Sequence, residues 1–274
     1  INPSPFIAGT IEDCISSAKD IGQGGARYNS VGFVGAGLAN AADSLMSIRQ
    51  AVYETGTYTL ADIVAALRNN FAGDEPMRRY LLDQVPKWGN DVSEVDAIGR
   101  SIAEHYCNKV HSFTNARGGR CQAALFTLDF AWHGGRRTGA LPDGRRSGES
   151  LAPGTGASYG RDKNGATGLL KSVLNLDAEN LPNGSVLDVT LHPSSVAGDK
   201  GLESLVDLIK TYFAGGGYGL QFNVYDAETL RSAQRNPEKF SSLQVRLTGW
   251  SVYFTSLSAF EQEQFIKRVS HNRT

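Results

Sequence analysis

Cysteine is scarce in this chain: Cys14, Cys107 and Cys121 form an odd set at wide spacing. A disulfide framework normally shows an even count in a short secreted chain, so the pattern reads as that of a reducing cytoplasm. Cys-x-x-Cys is absent and the five histidines form no ligand-spaced pair, so the sequence carries no zinc signature. No run approaches the roughly 18 apolar residues of a membrane span, and the opening residues do not read as a signal peptide. Net charge is missing too. Twenty-seven basic against 28 acidic residues give −1, which argues against nucleic acid or an anionic membrane as partner. Gly-Lys occurs nowhere, which excludes a P-loop. Gly35-Ala-Gly37-Leu-Ala-Asn40 lacks the last glycine of a dinucleotide fingerprint, and Arg27–Ser30 before it is no convincing strand. A conventional Ser-His-Asp hydrolase is not expected either.

Glycine, by contrast, is abundant: 31 of 274 residues, or about 11% against a usual ~7%. Apolar residues at 41% and charged residues at 20% leave ample material for a core. Apolar spacing predicts a helix over Phe6–Ala18 with Cys14 buried on its inward stripe. Residues Gly22–Asn29 and Gly32–Gly37 read as a long irregular loop. A helix is predicted from Thr59, its N-cap, with Leu60, Ile63, Val64, Leu67 and Phe71 on one face. Another spans about Val95–Val110.

After Asn115-Ala-Arg-Gly-Gly-Arg120 the pattern changes. Ala123–Ala131, Val186–Leu191, Gly219–Val224 and Leu243–Leu247 read as strands, and Gly201–Phe213 as an amphipathic helix. Strand, helix, strand order implies parallel pairing, hence an α/β class. Ser258-Ala-Phe-Glu261 is a capping box opening a last helix. Phe265, Ile266 and Val269 face inward there, and Lys267, Arg268 and His271 sit near the negative end of its dipole. The chain opens at Ile1 without a methionine and is expected to be a piece of a longer polypeptide whose natural end is near Thr274.

The segment Gln244-Val-Arg-Leu-Thr-Gly-Trp-Ser-Val-Tyr-Phe254 places Gly249 after a strand and nine residues before a capped helix. A turn or bulge glycine is one reading. The other is chemical: an α-carbon radical is stabilised between an amide nitrogen and a carbonyl, and glycine reaches the planar geometry without a β-carbon. The segment resembles the glycyl radical motif of the pyruvate formate-lyase family, with Trp250 for the usual tyrosine and Leu247 for the usual valine. Further stretches resemble that family in the same order: Asn2-Pro-Ser-Pro-Phe6, Gly24-Gly-Ala-Arg-Tyr-Asn29, Gly37-Leu-Ala-Asn-Ala-Ala-Asp-Ser44, Pro86-Lys-Trp-Gly-Asn-Asp91, Arg117-Gly-Gly119, Ala140-Leu-Pro-Asp-Gly-Arg-Arg-Ser-Gly-Glu149 and Gln221-Phe-Asn223.

The resemblance implies part of a ten-stranded α/β barrel ending in a radical-bearing loop and a capped helix. It implies a division at 1–135, a mostly helical part of the barrel domain, and 136–274, a glycine radical domain. Gly249 would store the radical and Arg246, Thr248, Trp250 and Ser251 would form the loop that carries it. An activase using S-adenosylmethionine and an iron–sulfur cluster would install the radical, with no cofactor or metal bound to this chain. The radical would pass to a cysteine in a Gly-Cys-x-Glu loop, which this sequence lacks; none of its three cysteines is assigned that role, although Cys121 has an arginine beside it. The implied reaction is cleavage of a C–O, C–N or C–C bond in a small anaerobic substrate, leaning to the dehydratase and eliminase branch. Formate acetyltransferase proper, or a stand-alone partner rescuing an oxygen-damaged lyase, are the alternatives, and a non-catalytic α/β binding domain is a third. The implied partners are the activase, a small-molecule substrate, the remainder of the polypeptide upstream of Ile1 and further copies of the chain in a cytoplasmic homo-oligomer. Arg145, Arg146 and Glu149 read either as substrate ligands or as a structural ion-pair cluster in the Pro-Asp-Gly-Arg turn.

Overall fold

The computed structural model describes residues 3–127, 130–247 and 250–270. At its start the expected Phe6–Ala18 helix is replaced by two short helical turns, α1 (Pro5–Ala8) and α2 (Cys14–Ser17). Asp13 and Ala18 adopt left-handed backbone, φ 73° and 52°, which no continuous helix accommodates. The predicted stripe is therefore not inward: Phe6 is 89% and Ile15 76% exposed, while Ala8 and Cys14 are buried.

The expected loop is only partly irregular. Asp20 caps a 3-10 turn at Ile21–Gln23, and Val31–Gly35 forms strand β1 where an irregular segment is predicted. Helix α3 (Leu38–Ile48) follows and continues into a π-helical turn at Arg49–Glu54. Helix α4 (Leu60–Arg68) starts at the predicted N-cap. Thr59 Oγ1 accepts from the Asp62 amide at 3.1 Å, and Asp62 Oδ2 accepts from the Thr59 amide at 2.9 Å. Its buried face is Ile63, Ala66 and, beyond the helix, Phe71, with Leu60 and Val64 exposed. Helices α5 (Glu75–Asp83) and α6 (Ser93–His111) complete a mostly helical first half.

Strand β2 (Cys121–Leu125) is shorter than the predicted 123–131, because Phe130–Arg137 belongs to helix α7. It is an inner strand, so its small apolar residues are buried on both faces. Next come helix α8 (Gly165–Leu174), strand β3 (Leu187–Leu191), helix α9 (Gly198–Ala214) and strand β4 (Leu220–Val224). Helix α10 (Ala227–Arg235), strands β5 (Gln244–Leu247) and β6 (Trp250–Tyr253), and helix α11 (Ala259–Ser270) close the chain.

β1 and β2 are parallel, with Val31 opposite Cys121. A bridge from Leu125 to Ser185 ties β2 to the segment entering β3. β3 and β4 are parallel across α9, with Leu187 opposite Leu220, as strand–helix–strand order implies. β5 and β6 are antiparallel. Two glycines are dictated by contact: a β-carbon on Gly119 would lie 1.3 Å from the Asn29 carbonyl oxygen, and one on Gly99 2.4 Å from the Trp88 ring.

The main core joins Trp88, Val95, Leu125, Leu169, Leu187 and Tyr212. A second core, built from α7, α10, α11 and the β5–β6 pair, centres on Trp132, Leu230, Val245, Phe254 and Phe265. Among the described residues no helix is long and apolar enough to cross a membrane.

Candidate functional site

The sequence motif maps onto β5 and β6, the segments on either side of Thr248 and Gly249, which themselves lie outside the described residues. Alternation sorts the pair into two faces. Val245 is 1% exposed and, with its partner Val252, packs on the second core. On the other face Arg246 stands opposite Ser251 and donates from Nη1 to Ser251 Oγ at 2.8 Å. Leu247 pairs with Trp250, whose ring is 69% exposed. Of the five predicted site residues, Arg246 and Ser251 are thus joined directly, and Trp250 lies beside them.

The base beneath the pair is aromatic. Phe265 meets Trp132, Tyr225 and Phe254 edge-on, with centroids 5.8, 6.4 and 6.5 Å apart. Helix α11 brings Phe265 there, and its predicted capping box is present: Ser258 Oγ accepts from the Glu261 amide at 3.3 Å and Glu261 Oε2 accepts from the Ser258 amide at 2.8 Å. Phe265, Ile266 and Val269 are buried as expected. His271 and the side chains of Lys267 and Arg268 lie outside the described residues. Outward, α11 is held by the Arg136 guanidinium, 3.9 Å above the Phe260 ring, and by Ser150 Oγ at 2.6 Å from Gln264 Oε1.

One contributor has no role in the sequence reading beyond its place in Gln221-Phe-Asn223. Asn223, 3% exposed, accepts from the Arg246 amide through Oδ1 at 2.8 Å and donates from Nδ2 to the Arg246 carbonyl at 3.2 Å. The available signal was an amide side chain at a buried strand position, between Phe222 and Val224.

Arg145 is structural. It is 5% exposed and donates to the carbonyls of Gly135 (2.6 Å), Gly139 (2.7 Å), Ser150 (3.3 Å) and Glu149. Arg146 pairs with Glu75 at 2.7 Å, and Glu149 accepts from the Arg146 amide at 2.9 Å. The cluster therefore locks its own turn.

Beside that turn lies a cavity of about 420 Å³ whose lining includes Asp43, Lys87, Asp143, Arg145, Glu149 and Arg161 together with Phe260 and Gln264 of α11. Asp43 accepts from the Trp88 amide at 2.7 Å, and burial pushes its carboxyl up to about 7 against the pull of Lys87. Burial raises Asp143 as well and lowers Lys87. Lys87 donates to the Leu81 carbonyl at 2.6 Å, and Asn40 Nδ2 donates to Asp143 Oδ2 at 2.7 Å. These groups tie α3 to the turn that precedes the second core.

Other candidates gather no chemistry. Gly156-Ala-Ser158-Tyr-Gly160 has the spacing of a hydrolase nucleophile elbow, yet no strand leads into it, and Ser158 Oγ accepts from Asn40 Nδ2 at 3.3 Å. Although β1 and α3 now flank Gly35-Ala-Gly37, Asn40 is buried with its Oδ1 on the Ala152 amide at 2.7 Å, so it is no stand-in for a phosphate-loop glycine. All three thiols are free and buried, Cys121 included; burial pushes Cys107 up to about 11, away from thiolate chemistry. No cluster of metal-ligating side chains occurs among the described residues.

Comparison with known proteins gives two family matches. Residues 1–133 match the pyruvate formate lyase-like family and residues 151–255 the glycine radical family. The trans-4-hydroxy-L-proline dehydratase of Clostridioides difficile is 33% identical over 267 residues, covering 97% of this chain and 34% of that protein. The indoleacetate decarboxylase of Tractidigestivibacter scatoligenes is 33% identical over 294 residues, covering 98% of this chain and 33% of that protein. Among solved structures, the glycerol-bound B12-independent glycerol dehydratase from Clostridium butyricum superposes with a TM-score of 0.93 at 40% identity, covering 97% of this chain and 34% of that one. A glycyl radical enzyme from Archaeoglobus fulgidus gives 0.92 at 41% identity, with the same coverage. The chain therefore spans about a third of the length of the relatives it matches.

Proposed function

Because this chain belongs to the glycyl radical enzymes and shares the α/β fold of their barrel, we propose that it stores an organic radical on Gly249 for a dehydratase-type reaction. The observation that carries the reading is the motif Arg246-Leu-Thr-Gly249-Trp-Ser251 falling inside the matched glycine radical segment, on a strand pair seated on its own aromatic core. A glycine α-carbon gives up one hydrogen atom to leave a radical that the flanking amide and carbonyl stabilise together. Arg246, Thr248, Trp250 and Ser251 are its loop, and the Arg246–Ser251 hydrogen bond braces the two strands beside it.

An S-adenosylmethionine activase with an iron–sulfur cluster removes that hydrogen. The stored radical then takes a hydrogen atom from a cysteine thiol in the rest of the polypeptide, and the resulting thiyl radical takes one from substrate. None of Cys14, Cys107 and Cys121 stands in a Gly-Cys-x-Glu sequence, which supports placing that thiol outside this chain. We keep a division into a barrel part at 1–135 and a radical domain at 136–274, a reading supported by separate family matches at 1–133 and 151–255, although α7 and the main core span that boundary. We place the whole protein in the cytoplasm, in keeping with its odd, widely spaced cysteines, and expect it to be a homo-oligomer.

The dehydratase reading rests on relatives that dehydrate hydroxyproline and glycerol. Its test is to activate the whole polypeptide anaerobically and offer glycerol, 1,2-propanediol, trans-4-hydroxy-L-proline, or pyruvate with coenzyme A. Loss of water from one of the hydroxylated compounds is expected, with no turnover by the 274-residue chain alone. Acetyl-coenzyme A formed from pyruvate would contradict it.

A further inference from the structure

β4 and β5 are neighbours that share no ladder: among the described residues β3–β4 and β5–β6 are separate sheets. In an antiparallel pair, alternate residues turn their N–H and C=O away from the partner strand. Arg246 is such a residue, and both its backbone groups are taken by the Asn223 side chain. We infer that Asn223 is a positioning residue for the radical-bearing segment, an inference that rests on Gly249 being the radical store.

The chemistry of the contact allows few substitutes. Facing an N–H and a C=O at once requires an acceptor and a donor on one short planar group, which asparagine supplies. Aspartate keeps the acceptor and loses the donor. Leucine loses both and leaves two polar groups without partners in a site where residue 223 is 3% exposed. The Arg246 guanidinium is meanwhile held by Ser251. Arg246 is thus fixed through its N–H, its C=O and its side chain, three residues before Gly249. The amide stands where a ladder would otherwise continue, so it sets the place of β5 on the parallel sheet.

Hydrogen transfer is sensitive to placement at the scale of an ångström. In this transfer a thiol hydrogen atom moves to the glycine α-carbon radical, leaving a thiyl radical, and the reverse transfer restores the start. In D₂O the thiol carries deuterium, so repeated transfer replaces the remaining α-hydrogen and collapses the EPR doublet of the glycyl radical to one line. No substrate is needed.

The test uses the whole polypeptide, activated anaerobically, with collapse rates compared at equal spin count. Asn223→Ala and Asn223→Leu are expected to slow collapse by about tenfold or more. Asn223→Asp is expected to be slow at alkaline pH and to recover in acid, where the protonated new carboxyl again offers a donor and an acceptor. Amide hydrogen exchange on the same variants should show lost protection at 244–253 with 187–191 and 220–224 unchanged. Unchanged collapse, or protection lost across both cores alike, would overturn the inference. A doublet that survives Gly249→Ala would instead overturn the underlying reading, and the exchange experiment would still decide whether Asn223 holds β5.

Discussion

Replacing Arg145 with methionine keeps most of the side chain's length and removes every donor. The guanidinium is 5% exposed and holds the carbonyls of Gly135 and Gly139 at 2.6 and 2.7 Å, with Glu149 and Ser150 completing the set. It thereby fastens the end of α7 to the turn at 138–150. A hydrogen bond to a charged group is worth about 1.5–3 kcal/mol, and a buried carbonyl left without a partner carries its desolvation cost. Water can reach part of the turn, so the two short bonds are counted in full and the others are discounted. The expected loss is about 3–6 kcal/mol. Urea denaturation of the same polypeptide with and without Arg145→Met measures it, and Arg145→Lys, which restores a single ammonium, is expected to lose about half as much. A loss below about 0.5 kcal/mol, the range of an ordinary surface change, would refute the reasoning. It would mean that the guanidinium is not needed by its own turn, and the substrate-ligand reading of Arg145 would return.

Two further outcomes are expected. Cys14, Cys107 and Cys121 are 3%, 2% and 4% exposed, so none should react with a thiol reagent in the native chain and all three should react in denaturant. A fast native thiol at Cys121 would count against its placement in β2. Asp43 provides a pH test. Its carboxyl is pushed up to about 7 by burial, against about 3.9 in an unfolded chain. Between those values the folded chain binds the extra proton, so stability falls as pH rises through that window. Asp143, also raised by burial, slopes the same way. Melting temperatures across the window should fall less steeply in Asp43→Asn; an unaltered slope would mean that Asp43 is ionised throughout.

Where a pattern was local, the sequence was readable. The capping boxes at Thr59 and Ser258 need only residues three apart, and both are present. Strands β3, β4 and β5 fell within a residue of their predicted limits because turn residues bracket them. The Phe6–Ala18 prediction failed because periodicity does not report φ: left-handed Asp13 and Ala18 break a stripe that looks continuous. β1 was missed because three of its residues are exposed and two are glycines, so it lacks the apolar run of an inner strand. The motif at Gly249 was legible because it is contiguous. Asn223 was not, since its partner Arg246 lies 23 residues away and the pairing exists only once β4 and β5 meet. Asn40, Asp43 and Asp143 stayed hidden for the same reason, with 103 residues separating Asn40 from Asp143.

The most direct measurement is the EPR spectrum of the polypeptide after anaerobic incubation with an S-adenosylmethionine activase. A doublet from the one remaining α-hydrogen is expected, collapsing to a single line when the protein is made with α-deuterated glycine and absent in Gly249→Ala. A doublet that persists in Gly249→Ala, or that ignores glycine labelling, would contradict storage of the radical at Gly249.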